Sequence, residues 1–198
     1  MLDGVVKIHS LAEVGLEGDI PETADTLEGN ALQKVQWVME KILNSQFSIL
    51  NSINGVFADD TGLEVEALGG RPGVYSARYA GEHCSFDDNI NKMLGEMEGK
   101  MNRRACFRTV ICLQGVDHVP QENGERKTEN GERFFEGRVD GVILTERYGK
   151  EGFGYDPIFM PDRFAVSFAE MPLEVKNRIS HRGRAVAKLV EYLKGIEN

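Results

Sequence analysis

Two neighbouring acids, Asp59 and Asp60, are the first residues in this sequence that indicate chemistry. They directly follow the apolar run 55–58, and a threonine and a glycine come after them. Adjacent carboxylates repel one another unless a cation lies near them, and Mg²⁺ prefers carboxylate oxygens together with water. Just beyond the end of a buried strand, such a pair could hold Mg²⁺ against phosphate oxygens. The alternative is a simple turn, because Asp-Asp-Thr-Gly is also ordinary turn chemistry.

Lys34 is a second candidate, because it falls at the edge of an apolar helical face. That face consists of residues spaced three or four apart, namely Leu27, Ala31, Val35, Val38 and Ile42. A lysine there either extends its ammonium group to solvent or meets an anion. Glu22 lies in the segment before this helix and is a candidate ligand, although a single loop glutamate is more often solvated.

The segment GFGYDPIF, residues 152–159, is the third candidate. Its glycines, Gly152 and Gly154, allow a ligand to approach the backbone closely, and Phe153 between them could stack on a planar base. The alternative is a tight turn with a phenylalanine in the core.

The fourth candidate is EVKNRISHRGRA, residues 174–185, a basic segment in an acidic chain. Its cationic or titratable residues are Lys176, Arg178, His181, Arg182 and Arg184. Ser180, His181 and Arg182 are placed to begin a helix, where free N–H groups favour anions or carbonyl oxygens. The alternative is a solvated cationic helix face.

The elements that must position these residues are mixed helices and strands. The patterns predict helices over 27–42, 85–99 and 172–196, and strands over 5–11, 55–58, 63–68, 103–115 and 133–147. Asp25 or Thr26 would cap the first helix, Ser85 the second, and Ser180 the last part of the third. Residues 121–133, with two Asn-Gly pairs, predict an exposed hairpin tip. These elements predict an α/β fold with a mixed, partly antiparallel sheet.

Composition excludes several classes of function. The chain has 198 residues, a formal net charge of −9 and a pI of about 5.0. A nucleic-acid polymer would meet repulsion, whereas a small phosphorylated ligand could still be held by local cations. Three scattered cysteines form no disulfide framework, and no apolar run reaches transmembrane length. We therefore expect a cytoplasmic protein without a membrane partner.

The four candidate segments, in this order, resemble one family. ADDTGLEVEALGGRPGVYSARYAG, GFGYDPIF, FAEM and KNRISHRGRA look like signatures of the inosine triphosphatase or HAM1-like family, from about Ser10 to Leu193. This resemblance implies a single domain over 1–198: a twisted, partly antiparallel sheet flanked by helices, in two lobes with a cleft between them. It also implies a homodimer that uses Mg²⁺ to hydrolyse the purine nucleoside triphosphates ITP, dITP and XTP to the monophosphate and pyrophosphate.

The resemblance also implies roles for single residues. Asp60 matches the general base and metal ligand, Glu22 an early metal-binding glutamate, and Asp59 a neighbour that supports the water shell of the metal. Substrate contacts are implied for Lys34 and Lys176 near the phosphates and the bound nucleotide, Thr61 beside the acids, Phe153, Gly154, Tyr155 and Asp156 on the base side, and Ser180, His181 and Arg182 in purine recognition.

The chain departs from the family pattern at its start. Members open with a strand and a loop whose amides, Asn and Lys cradle the triphosphate, whereas here Met1 falls where that strand and its helix have ended. The N-terminal strand is therefore expected to be missing, and 5–11 resembles the family's second strand. One alternative is thus a truncated, weakly active or non-catalytic nucleotide-binding remnant. A second is a pyrophosphatase acting on modified pyrimidine nucleotides, against which the SHRGRA segment argues.

Overall fold

The helices and strands of this protein are known from a computed structural model that describes residues 6–43, 53–115 and 131–195. The described α-helices are α1 (Leu27–Leu43), α2 (Phe86–Glu96), α3 (Leu173–Ile179) and α4 (His181–Gly195). The described strands are β1 (Gly55–Val65), β2 (Pro72–Gly73), β3 (Arg104–Gly115), β4 (Arg133–Ile143) and β5 (Phe159–Pro161). The predicted α/β class is confirmed, as are the helices near 27–42 and 85–99 and the strands near 103–115 and 133–147.

The five strands form one sheet in the order β2-β1-β3-β4-β5. The two outer pairs are antiparallel, with Leu63 opposite Gly73 and Gly141 opposite Pro161. The inner pairs are antiparallel too. Gly55 lies against Gln114 and Thr61 against Thr109 between β1 and β3. Between β3 and β4, Arg108 contacts Glu136, and Ile143 bonds Arg103 just before β3. The sheet of the described residues is thus antiparallel.

The chain divides into two compact units, each built from several segments. Unit 1 comprises residues 1–60, 110–135 and 186–198, and unit 2 comprises 61–109 and 136–185. Strands β1, β3 and β4 and helix α4 each begin in one unit and end in the other.

The core of unit 1 is formed by the apolar face of α1. The predicted stripe of this helix is buried, and it packs with Val14, Val56 and Cys112. Full burial of one such aliphatic side chain contributes about 1.5–3 kcal/mol, which fixes α1 against β1. The side of α1 that carries Lys34 therefore has a defined position next to the strand that carries the acids.

The core of unit 2 contains a cluster of aromatic rings. Phe107 lies 4.8 Å from Phe159 and 6.2 Å from Phe168, measured between ring centroids, and Phe159 and Phe168 are almost fully buried. Such pairs add about 0.5–1.5 kcal/mol to the burial of their area. This cluster is a rigid support for the segments that contain residues 153–156 and 176–182.

The prediction that β1 ends before the two acids is wrong. Residues 55–58 and 63–68 were predicted to be separate strands, with Asp59 and Asp60 beyond the end of the first, whereas β1 continues through both acids to Val65. The pairing of β1 with β3 outweighs the local turn preference of Asp-Asp-Thr-Gly. The turn alternative is therefore also wrong.

The strand predicted over 5–11 is also wrong for the residues that the structure describes. Residues 6–10 have no regular structure, and turns follow over 11–15. The reason is local: the Ser10 backbone N–H and hydroxyl donate to Glu13 Oε2 at 2.6 and 2.9 Å, and the Glu13 N–H donates to Ser10 Oγ at 3.3 Å. This reciprocal pattern favours a turn over an extended chain.

Two remaining predictions concern the hairpin and the membrane. Most of the predicted hairpin tip, residues 121–130, lies outside the described residues. Of the helices in the described ranges, none combines the length and the apolar character needed to span a bilayer.

Candidate active site

The first group of candidate residues lies in unit 1, where β1 packs on α1. Asp60 shares a face of β1 with Val56 and Ala58, because alternate residues of a strand point to the same side. Val56 and Ala58 belong to the core formed by α1. Asp60 is only 8% exposed, and its carboxylate faces the helix.

Lys34 connects the acids. Its Nζ lies 2.7 Å from Glu22 Oε1 and 2.9 Å from Asp60 Oδ1, and it donates to the main-chain carbonyl of Asp59 at 3.0 Å. Three acceptors use the full donor capacity of one ammonium group. Of the two alternatives for this lysine, contact with anions is therefore right and extension to solvent is wrong.

The start of α1 determines where Lys34 lies. The Gly29 N–H donates to Thr26 Oγ1 at 3.0 Å, so Thr26 rather than Asp25 caps the helix. With the helix beginning at Leu27, Asn30 and Lys34 are one turn apart and lie on the same side. Both side chains thereby reach the carboxylate on β1.

Asn30 is a site residue that the sequence reasoning missed. It is fully buried, its Nδ2 donates to Asp60 Oδ2 at 3.0 Å, and its Oδ1 accepts from the Ala24 N–H at 2.9 Å. A signal was present in the sequence, since Asn30 falls on the apolar face of a predicted helix, where an amide needs a buried partner.

Asp59 does not form a carboxylate pair with Asp60. Because they are consecutive residues of a strand, their side chains project to opposite faces. Within this group Asp59 contributes its main-chain carbonyl, which accepts from Lys34. The prediction placed both carboxylates beyond the end of the strand, where they could meet. Because β1 continues through both residues, their carboxylates lie on opposite faces instead.

The carboxylates of Glu22 and Asp60 fit a hard divalent cation. In the described ranges no three His, Cys, Asp or Glu side chains are arranged to hold a metal. Mg²⁺ commonly takes only one or two carboxylates and completes its shell with water and phosphate oxygens. Two carboxylates that already share one cationic group, the Lys34 ammonium, suit this coordination.

The protonation of Lys34 predicts a pH dependence of stability. Burial, the largest effect, would lower the pKa of Lys34, but hydrogen bonds and charges from Glu22 and Asp60 outweigh burial and raise the pKa above its ordinary 10.5. A group with a raised pKa in the folded state stabilises fully below its unfolded pKa and loses that effect as pH rises through the folded pKa. We expect Lys34→Met to lower the free energy of unfolding by a constant amount from about pH 7 to 9, and by progressively less above 10.5.

The measurement is urea unfolding of both proteins at each pH. Lys194→Met, which removes an exposed lysine at the end of α4, controls for the loss of one positive charge. If the difference in free energy of unfolding between Lys34→Met and the unmutated protein grew at high pH, the prediction would be wrong.

The second group of candidates lies in unit 2 and is centred on Asp156, which is 3% exposed. Its Oδ2 accepts from the Lys176 ammonium and from the Phe153 N–H. Gly152 and Gly154 have φ of 93° and 58°, a conformation that strains other residues. A Cβ at Gly152 would lie 2.4 Å from Asp156 Oδ2. The loop backbone is thus fixed by one buried ion pair and two glycines.

This loop presents one aromatic ring outward and one inward. Phe153 is 69% exposed and meets Phe86 edge-on, with 4.4 Å between ring centroids. Tyr155 is buried, which raises the pKa of its hydroxyl group, and that hydroxyl donates to the Ser76 carbonyl at 2.9 Å. The alternative that Phe153 is a core residue is therefore wrong, and its ring is accessible to a planar ligand.

The start of α4 holds the last predicted residues. Ser180 Oγ accepts from the Gly183 N–H at 3.1 Å, which confirms Ser180 as the cap. His181 is buried and stacks on Phe107, with 4.7 Å between ring centroids. Gly137 of β4 allows the backbone at the start of α4 to lie close to β4, because a Cβ at position 137 would lie 1.9 Å from the His181 carbonyl oxygen. Sequence reasoning missed Gly137, since a single glycine within a strand has several meanings.

Arg182 and Thr61 come together in unit 2 although they are far apart in sequence. Arg182 Nη2 donates to Thr61 Oγ1 over a long 3.4 Å, and Thr61 Oγ1 lies 2.7 Å from Thr109 Oγ1. Arg182 is exposed. Its guanidinium group is therefore held near one residue of the acidic signature while remaining accessible.

The predicted residues thus form separate contacts within each unit. In unit 1, the ammonium group of Lys34 contacts Glu22, Asp59 and Asp60. In unit 2, the Asp156 carboxylate contacts Phe153 and Lys176, and Arg182 separately contacts Thr61.

A model of the Ham1 family matches residues 1–192 of the sequence. The chain belongs to the Ham1 family.

Individual relatives agree with this family assignment. A dITP/XTP pyrophosphatase of Porphyromonas gingivalis is 47% identical over 194 residues, which are 98% of this chain and 88% of the relative. One from Flavobacterium psychrophilum is 44% identical, over 98% of this chain and 90% of the relative. The solved structure of the Staphylococcus aureus Ham1 protein has a TM-score of 0.76 at 38% identity, covering 93% of this chain and 84% of that one. The fold and family implied by the resemblance are therefore confirmed.

Proposed function

We propose that this Ham1 chain hydrolyses non-standard purine nucleoside triphosphates, namely ITP, dITP and XTP, to the monophosphate and pyrophosphate. The observation that carries the proposal is the meeting of Glu22, Lys34 and Asp60 at one ammonium group. These residues are distant in sequence and of the types needed to hold a metal and phosphates. Relatives named dITP/XTP pyrophosphatase match 98% of the chain, which supports the substrate class. The alternative of a non-catalytic remnant is not supported by these relatives.

The proposed reaction is a phosphoryl-type displacement at the α-phosphorus. Asp60 orients a water and accepts its proton, the water oxygen bonds to phosphorus, and the bond to the bridging oxygen breaks as pyrophosphate leaves. Glu22 and Asp60 would hold Mg²⁺, which when bound neutralises phosphate charge and acidifies water. Asp59, whose carboxylate projects to the opposite face of β1, supports this group through its main-chain carbonyl, which accepts from Lys34. Lys34 adds a positive charge beside Asp60 for the phosphates.

The proposed base recognition uses unit 2. The exposed ring of Phe153 stacks on the purine, on a loop fixed by Gly154, Tyr155, Asp156 and Lys176. His181 and Arg182, at the start of α4 behind Ser180, donate to the 6-oxo group of hypoxanthine or xanthine. Adenine presents a 6-amino donor at that position, so ATP would place two donors face to face.

We expect Arg182→Ala to lower the ratio of the kcat/KM values for ITP and ATP by about tenfold, because one good hydrogen bond to a charged donor contributes about 1.5–3 kcal/mol. The measurement is pyrophosphate release from each nucleotide. Arg163→Ala, which removes an exposed arginine outside the candidate residues, is the control. An unchanged ratio in Arg182→Ala would show that the 6-oxo group is read elsewhere.

The direct test of the proposed function is product analysis by ³¹P NMR with dITP, XTP, ATP and a modified pyrimidine triphosphate, each with Mg²⁺. The proposal expects pyrophosphate and monophosphate from dITP and XTP, and little from the others. Release of inorganic phosphate and a diphosphate would contradict it, and preference for the pyrimidine would favour the second enzyme considered above.

The proposal extends to assembly and location. We propose a homodimer, as the resemblance to the family implies, in the cytoplasm, where the free thiols of Cys84, Cys106 and Cys112 would stay reduced. Light scattering at micromolar concentration tests the dimer, and a monomeric mass would contradict it.

A further inference from the structure

Two buried amide contacts connect the proposed metal ligands through α1. Asn30 Oδ1 accepts from the Ala24 N–H at 2.9 Å, two residues after Glu22, while Asn30 Nδ2 donates to Asp60 Oδ2 at 3.0 Å. Only a side chain with both an acceptor and a donor can make these two bonds at once. Asn30 therefore joins the segment that carries Glu22 to the strand that carries Asp60.

A second side chain of α1 holds the same segment without touching Asp60. Gln33 Oε1 accepts from the Thr23 N–H at 2.9 Å, and Gln33 Nε2 donates to Thr23 Oγ1 at 3.0 Å. The segment therefore has anchors at two successive residues, and of the two side chains that hold them, Asn30 also bonds the carboxylate of Asp60 while Gln33 does not.

Asn30 also fixes the orientation of the Asp60 carboxylate. Lys34 contacts Oδ1 and Asn30 contacts Oδ2, so both oxygens have fixed partners. A carboxylate held at both oxygens loses its freedom to rotate, which is the form of support that groups around a metal or a catalytic base provide. Lys34 is a long, flexible side chain, whereas the short amide of Asn30 is fully buried.

We propose that Asn30 is a positioning residue that sets Asp60 relative to Glu22. This inference rests on the proposed function, because it assumes that these two carboxylates share a metal and that Asp60 acts on water. Asn30 itself touches neither substrate nor water in this assignment.

The chain offers a matched control in Asn89. It too is a buried asparagine on a helix, its Oδ1 accepts from the Ala80 N–H at 2.7 Å, and its Nδ2 donates to the Ala77 carbonyl at 3.0 Å. Asn89 thus makes the same two kinds of bond without contacting a carboxylate of the candidate site. Its substitution reproduces the structural cost of losing a buried amide.

The experiment compares Asn30→Ala and Asn89→Ala with the unmutated protein, in two measurements below the unfolding temperature of each. The first is kcat and KM for dITP with Mg²⁺, and the second is Mn²⁺ affinity of the substrate-free protein by calorimetry. We expect Asn30→Ala to lower kcat and Mn²⁺ affinity by about 10- to 100-fold, the usual effect of removing a support behind a metal ligand, with KM changed less than twofold. Asn89→Ala should change both less than twofold.

Equal effects of the two substitutions would overturn the inference, since they would show a structural role only. If Asn30→Ala fails to fold, Asn30→Asp replaces it, because that variant keeps the acceptor for the Ala24 N–H and loses the donor to Asp60. A kcat of Asn30→Asp equal to that of the unmutated protein would overturn the inference. If the unmutated protein releases no pyrophosphate, the proposed function fails, while Mn²⁺ affinity still decides the role of Asn30. Absence of any Mn²⁺ binding by the unmutated protein overturns the inference, because Glu22 and Asp60 would then share no metal, whereas pyrophosphate release still decides the proposed function.

Discussion

Replacement of Asp60 by asparagine is expected to lower kcat for dITP by about 10²- to 10⁴-fold, the range by which a general base accelerates a reaction. Asparagine has the same shape but cannot accept the proton of the attacking water. Its NH₂ group would also face either Lys34 or Asn30, both of which are donors at 2.9 and 3.0 Å from the present carboxylate. Pyrophosphate release under saturating dITP and Mg²⁺ is the measurement.

Asp162→Asn is the control for this substitution. Asp162 is an exposed aspartate in unit 2, paired with Arg104 at 2.7 Å and outside the candidate residues. We expect its kcat to stay within about twofold, because exposed ion pairs contribute little. Undiminished pyrophosphate release by Asp60→Asn would reject Asp60 as the base.

The second large effect is on stability and concerns Asp156. Asp156→Ala removes the acceptor of the Lys176 ammonium and of the Phe153 N–H. The side chain of Lys176 is only 16% exposed, so it would be left as a largely buried charge without its counter-ion. Breaking a buried pair from one side costs about 3–5 kcal/mol, and we expect that loss in the free energy of unfolding measured with urea.

A double substitution separates the unpaired charge from the loss of the pair itself. Replacing a whole buried ion pair by apolar groups is often nearly neutral. We therefore expect Lys176→Met, added to Asp156→Ala, to recover at least about half of the lost stability. Asp162→Ala, which breaks the exposed pair with Arg104, should cost at most about 1 kcal/mol. A double variant less stable than Asp156→Ala would contradict this account.

The helices and the long strands could be predicted because their signals are local. The stripe of α1 repeats every three or four residues, Ser85 and Asp88 form a complete capping box, and β3 contains the β-branched run Thr109, Val110 and Ile111. Ser10 and Glu13 carry the same kind of local signal, and in the structure they form a turn instead of the strand that the apolar residues before them predicted. A strand requires a neighbour, and no local pattern supplies one.

The course of β1 could not be predicted, because its cause is not local. Asp59 and Asp60 disfavour a strand in isolation, yet a neighbouring strand supplies their main-chain hydrogen bonds. Asp60 is tolerated inside the sheet because Lys34 and Asn30 satisfy its carboxylate. Those partners lie on a helix more than 25 positions earlier in the sequence.

The candidate site was found by resemblance more than by spacing. Lys34 could be singled out physically, as a cation on an apolar edge, but the contact of its ammonium with Glu22 depends on how the loop before α1 folds back. Asn30 shows what physical reasoning alone could have added. A buried amide on an apolar stripe requires partners, and those partners here are the two segments of the site.

Gly137 bears on how mutational tolerance is interpreted in this protein. Its lack of a side chain is what lets the first turn of α4 lie against β4, at a separation that even a methyl group would prevent. In a screen for pyrophosphate release, variants at this position are expected to score as inactive, as a change in a reacting group would. Position 137 would then be counted among the catalytic residues, although Gly137 contributes only the space that the backbone of α4 occupies.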